Sequence, residues 1–163
     1  MKSLNKNKIV LFDIDYTLFD TQTFKNSSLT KFSLYREVLP VLESLVNIAE
    51  LGIFSKGNDI FQNIKLQETG IIKFFQQQNI HVFENKDINL KHVIEKYKSL
   101  KIYLIDDNLA TLYNAKKNTP LVTTVWIKRG PFAEDVSLLN NFIPDFVRDN
   151  LEEIVPIVSG YFK

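Results

Sequence analysis

The chain has 163 residues, 45% hydrophobic and 24% charged, with 20 Lys+Arg against 19 Asp+Glu and a net charge of +1. That length makes about one domain with a sizeable core, and the balanced charge gives no electrostatic reason for a nucleic-acid or anionic-membrane partner. Thirteen Phe and six Tyr exclude a disordered chain, the absence of Cys excludes disulfides and thiolate chemistry, and two His argue against a histidine-rich metal centre.

Residues 9–12, Ile-Val-Leu-Phe, form a continuous apolar run, the pattern of a strand buried on both faces. The run is too short for an export signal, and no apolar stretch approaches a membrane span. A cytoplasmic location with no membrane partner is therefore expected. Val38, Val41, Leu42, Leu45 and Ala49 recur at helical spacing, with Pro40 near the helix start. A second strand is expected over 51–54. A helix follows through Phe61, Ile64 and Leu66, and Gly70 is placed to end it in a left-handed cap. The third strand is 80–83, and Leu90, Val93, Ile94 and Tyr97 give the next helix. The fourth strand is 102–105, followed by a helix through Leu109, Leu112 and Tyr113. The fifth is 121–127. A last helix runs through Leu151, Ile154, Val155 and Val158, with Asp149 and Glu152 spaced as its capping pair.

This alternation predicts an α/β fold: a Rossmann-like three-layer α/β/α sandwich with a mostly parallel central sheet. Ligands of such sheets bind at the carboxyl ends of the strands. Strand one ends in Asp13-Ile14-Asp15-Tyr16-Thr17. Alternation puts Asp13 and Asp15 on one side, where two close carboxylates need a proton or a cation between them. Strand two ends in Ser55, followed by Lys56 and Gly57; a serine there is most often a turn or cap residue. Strand four ends in Asp106-Asp107-Asn108, where capping the next helix explains one acid but not both. Lys86 is expected in the loop before a helix starting near Ile88, whereas Lys91 points to solvent on that helix. Carboxylates with a hydroxyl and an amine, without Cys or His, suit Mg²⁺ and a phosphate.

In these residues and their order the sequence resembles the haloacid dehalogenase superfamily of phosphohydrolases. Residues 13–18 look like its first motif, Asp-x-Asp-x-Thr; Ser55 matches the second, Lys86 the third and Asp106-Asp107 the fourth. The resemblance implies Asp13 as the nucleophile that forms an aspartyl-phosphate. It implies Asp15 as the acid for the leaving oxygen and then the base for water. Asp13, the Asp15 backbone carbonyl and Asp106 would hold Mg²⁺, with Asp107 supporting through water or by orienting Lys86. Ser55 would bond the phosphoryl oxygens. The dehalogenases of the superfamily lack an acid at the position of Asp15, so the resemblance favours a phosphate ester over a haloacid.

The spacing leaves no room for a substantial cap domain. About twenty residues, Leu18 to Glu37, remain free before the helix near 38–49, and 56–85 are used by one helix and one strand. A single domain over 1–163 is expected, its open site covered by a phosphoprotein, by a nucleic-acid end, or by an oligomer partner over a small substrate. The charge disfavours nucleic acid. Phe19, Phe24, Phe32 and Tyr35 could rim the site or fill the core, and Lys56 and Arg129 lie beside strand ends. Two rivals use the same fold type. A response-regulator-like switch would place its phosphorylated Asp after the third strand, where Glu84 stands. A binding module without turnover would need no change in the motifs.

Overall fold

The computed structural model describes residues 6–134 and 141–161. Residues 1–5, the start of the segment read for an export signal, lie outside them. Six strands are present: β1 (Lys8–Phe12), β2 (Glu50–Lys56), β3 (Ile80–Phe83), β4 (Lys101–Asp106), β5 (Thr123–Ile127) and β6 (Phe146–Arg148). They form one sheet in the order β3-β2-β1-β4-β5-β6, and every ladder is parallel. The order reverses at β1, which lies between β2 and β4. The fold is Rossmann-like, as expected.

The helices are α1 (Thr21–Asn26), α2 (Val38–Leu45), α3 (Asp59–Glu68), α4 (Lys86–Lys96), α5 (Leu109–Asn118) and α6 (Ile154–Ser159). Alternate residues of β1 face opposite layers. Val10 and Phe12 pack with Val38, Leu42 and Leu45 of α2 and with Ile154 and Val158 of α6. Ile9 and Leu11 pack with Leu90 and Val93 of α4 and Leu112 of α5. Each such side chain, fully buried, contributes about 1.5–3 kcal/mol, so the two apolar layers hold the strand ends in place. No helix among the described residues is long and apolar enough to cross a membrane.

The local differences have physical reasons. The fifth strand begins at Thr123, and Leu121 is 90% exposed. The last helix starts at Ile154 and has no side-chain cap. Asp149 and Glu152 do not cap it: Glu152 pairs loosely with Arg36, and the Asp149 carbonyl accepts from Arg129. α2 stops at Leu45, short of Ala49. α4 begins at Lys86 itself, so that lysine sits in the first helical turn and not in a loop. α1, a short helix within the 18–37 segment, is capped by Asp20, whose side chain accepts from the Thr23 N–H at 3.0 Å. One strand was not expected: β6 adds an edge beside β5.

Candidate active site

The site lies at the carboxyl end of the sheet, where the strand order reverses. The Asp13 N–H donates to the Ile105 carbonyl at 2.9 Å, extending the β1–β4 ladder one residue past Phe12. Asp13 therefore sits beside Asp106. Lys86 reaches both from the first turn of α4: its Nζ is 2.7 Å from Asp13 Oδ1 and 2.6 Å from Asp106 Oδ2. Asn108 caps α5 by accepting from the Ala110 N–H, so neither neighbouring acid serves as the cap. Asp106 Oδ1 accepts from the Asn108 N–H at 2.8 Å, and Trp126 Nε1 donates to the Asp107 carbonyl at 2.8 Å. One oxygen from each of Asp13, Asp106 and Asp107, all buried, lies within 4.8 Å of the others.

Three buried carboxylates share one ammonium. Burial raises Asp13 to about 7, with Lys86 opposing and Asp106 adding to the rise. Burial, then the charges of Asp13 and Asp106, push Asp107 to about 9. Asp106 is raised by burial against the pull of Lys86. Burial works against the Lys86 ammonium, but Asp106 and Asp13 outweigh it and its pKa rises. The cluster thus holds protons unless a second cation joins it. An all-oxygen donor set with excess negative charge fits Mg²⁺.

Asp15 is placed differently from its expected partnership with Asp13. The chain turns sharply after β1: the Ile14 carbonyl accepts from the N–H groups of Thr17, Leu18 and Phe19, and Tyr16 is left-handed at φ 58°. The Asp15 carboxylate lies outside the three-acid cluster. Its Oδ1 accepts from Thr21 Oγ1 and Lys65 Nζ, each at 2.7 Å. Its Oδ2 accepts from Lys65 Nζ and Gln62 Nε2, each at 2.9 Å. Burial alone would raise its pKa, but Lys65 and these hydrogen bonds outweigh it and hold Asp15 below its ordinary value.

Thr21, Gln62 and Lys65 were missed in the sequence. Of the apolar residues Phe61, Ile64 and Leu66 that marked α3, only Leu66 faces the core. Phe61 and Ile64 are exposed, while Gln62, Lys65 and Leu66 are buried. Positions 62, 65, 66 and 69 share a helical period just as 61 and 64 do, and Gly57 was the available signal. At φ 143° it makes room for Gln62, whose side chain lies 3.0 Å from where a Cβ would stand.

Ser55 is buried at the end of β2, where its hydroxyl accepts from Gln62 Nε2 at 3.3 Å. It does not line the cavity of about 540 Å³ that Asp13, Asp15, Lys86, Asp106 and Asp107 do line. Lys56 lines the cavity and is exposed. Arg129 does not: it pairs with Glu37, stacks 3.8 Å over Tyr35 and donates to the Thr17 carbonyl. Phe19 and Phe24 are core residues, with Phe32 and Tyr35 packed against them.

No model of a protein family matches the sequence, and neither does any curated protein. Solved structures do match. A haloacid dehalogenase-like hydrolase of Burkholderia xenovorans LB400 aligns over 97% of this chain and 99% of its own, with TM-score 0.78 and 17% identity. The HAD-hydrolase YfnB of Bacillus subtilis, bound to magnesium, aligns over 95% and 100% with TM-score 0.69 and 14% identity. A predicted phosphoglycolate phosphatase of Haemophilus somnus aligns over 95% and 99% with TM-score 0.70 and 14% identity. L-2-haloacid dehalogenases match as well. The chain has the fold of the haloacid dehalogenase-like hydrolases, and the fold by itself does not choose between their chemistries.

Proposed function

We propose that the protein is a Mg²⁺-dependent phosphomonoesterase acting through an aspartyl-phosphate on Asp13. The observation that carries this reading is the buried Lys86 ammonium bridging Asp13 and Asp106, beside Asp107, at the inner wall of the cavity. Asp15, held on the same cavity by Lys65, supports an ester over a haloacid, because an alkoxide leaving group needs a proton and a halide does not.

Asp13, Asp106 and the Asp15 carbonyl would hold the ion, with Asp107 beside them. Bound there, Mg²⁺ would offset the repulsion between a carboxylate and a phosphate dianion. Lys86 takes Asp13 Oδ1, which leaves Oδ2 to attack phosphorus. As that bond forms, the bond from phosphorus to the leaving oxygen breaks and Asp15 donates its proton to the departing oxygen. The phosphate's negative charge favours the protonated acid at this stage. Once the alcohol leaves, Lys65 stabilises the Asp15 carboxylate, which takes a proton from water. That water attacks phosphorus, releases phosphate and restores Asp13. Ser55 is a candidate donor to the phosphoryl oxygens only if Gln62 moves aside. The chain reads as a hydrolase core without an inserted cap: α1 and α2 occupy the segment between β1 and β2, and α3 with two short 3-10 turns occupies that between β2 and β3.

The test is turnover of 4-nitrophenyl phosphate by the purified chain, with and without Mg²⁺, in wild type and Asp13→Asn. Wild-type turnover is expected to require the ion, and Asp13→Asn to lower kcat by about 10³-fold or more. Unchanged turnover in Asp13→Asn would remove the nucleophile. A long-lived phosphoprotein without turnover would make the chain a switch.

A further inference from the structure

We propose that the mouth of this cavity is a leaving-group subsite for a small aromatic phosphate ester that carries a second anionic group. The inference rests on the phosphomonoesterase reading of the same cavity.

The inner end of the cavity is carboxylate and ammonium, but its rim is built of other chemistry. Leu29, Phe61 and Phe132 line it while remaining 59%, 41% and 39% exposed. None belongs to either buried core cluster. They come from three separate segments, and the backbone places each. Leu29 is left-handed at φ 65°, with its N–H on the Phe24 carbonyl at 3.0 Å. The Phe61 N–H is held by the side chain of Asn58, the N-cap of α3. The turn bearing Phe132 rests on the Tyr16 ring through Gly130, where a Cβ would come within 2.4 Å of that ring. Exposed apolar side chains gathered around a charged cleft mark a binding surface.

The rim carries charge of both signs, the exposed Asp87 lining the cavity together with two lysines. Lys65 and Lys86 are both engaged by carboxylates. Lys56 and Lys25 line the same cavity, yet among the described residues neither pairs with a carboxylate. Lys25 donates to the Tyr16 hydroxyl at 3.1 Å. An apolar rim with two ammonium groups that pair with no carboxylate complements a flat ring bearing an anionic substituent. The volume of about 540 Å³ fits a small molecule.

The subsite is tested with ethyl, benzyl and 4-carboxybenzyl phosphate, all primary esters, by kcat/KM. The matching phosphonates, which cannot turn over, are compared by calorimetric affinity. Benzyl is expected to exceed ethyl by about tenfold, and the carboxylate to add about threefold. Phe132→Ala should shrink the first ratio and Lys56→Ala the second. Equal affinities across the three phosphonates, or ratios unchanged in both variants, would overturn the subsite. Ranked phosphonates without turnover of any ester would keep the subsite and sink the phosphatase reading. Turnover without ranking would do the reverse.

Discussion

Lys65 shows how one residue shapes the chemistry of another. Its side chain is 7% exposed, it bonds both oxygens of Asp15, and it lies 4.9 Å from the Phe61 ring centre. Removing it leaves Asp15 with two neutral donors, Thr21 and Gln62, and no fixed charge beside it. Lys65→Met is therefore expected to lower kcat for an alkyl phosphate by about 10–100-fold with little change in KM, since a positioned acid–base group contributes about 10²–10⁴-fold. The pKa of Asp15 should rise, so the acid limb of the kcat profile should move to higher pH, and Lys65→Arg should recover part of the rate. A variant with a proportionate rise in KM and an unmoved profile would make Lys65 merely structural. Asp13 and Asp106 were legible because each ends or follows a buried apolar strand, and Lys86 through its place in the order of motifs. Lys65 was not, because α3 buries it and Gln62 beside Leu66 while Ile60, Phe61 and Ile64 stay exposed, against ordinary patterning.

At the scale of elements, the same contrast separates β1 from β6. The run at 9–12 announces a strand buried on both faces. β6 has three residues, Phe146–Arg148, too few for any period to register. A side-chain clasp fixes it instead. Asp145 accepts from the N–H and hydroxyl of Thr124 at 2.8 and 2.9 Å and pairs with Lys116 at 2.8 Å, tying β6 to β5 and α5. Partial burial would raise its pKa, but Lys116 and Thr124 outweigh it and hold it below the usual carboxylate value. The folded state thus favours the ionised form. Its contribution is complete above the unfolded pKa and disappears as pH falls through the folded one. Asp145→Asn should cost about 1 kcal/mol at pH 7, discounted for exposure, and progressively less as pH falls below the usual Asp range. Urea unfolding at pH 7 and pH 3 checks this, and an equal loss at both would contradict the clasp. The start of α4 was misplaced although Asn85 stands at its N-cap and Asp87 in its first turn, because the apolar period begins only at Ile88.

Across the whole molecule, the parallel sheet turns distant sequence positions into one site. Pairing of Phe12 with Ile105 brings residues 13 and 106 together, and α4 returns Lys86 between them. The order of motifs along the chain made that gathering legible. The departure of Asp15 was hidden, because its partners Thr21, Gln62 and Lys65 come from two helices that no strand pattern announces. Three buried acids facing one lysine form the centre of the account. A crystal structure determined with magnesium tests it most directly. The account predicts an octahedral ion about 2.1 Å from oxygens of Asp13, Asp106 and the Asp15 carbonyl, its remaining ligands being waters or Asp107. Asp13 and Asp106 bound only to Lys86 at saturating magnesium, with no ion between them, would contradict it.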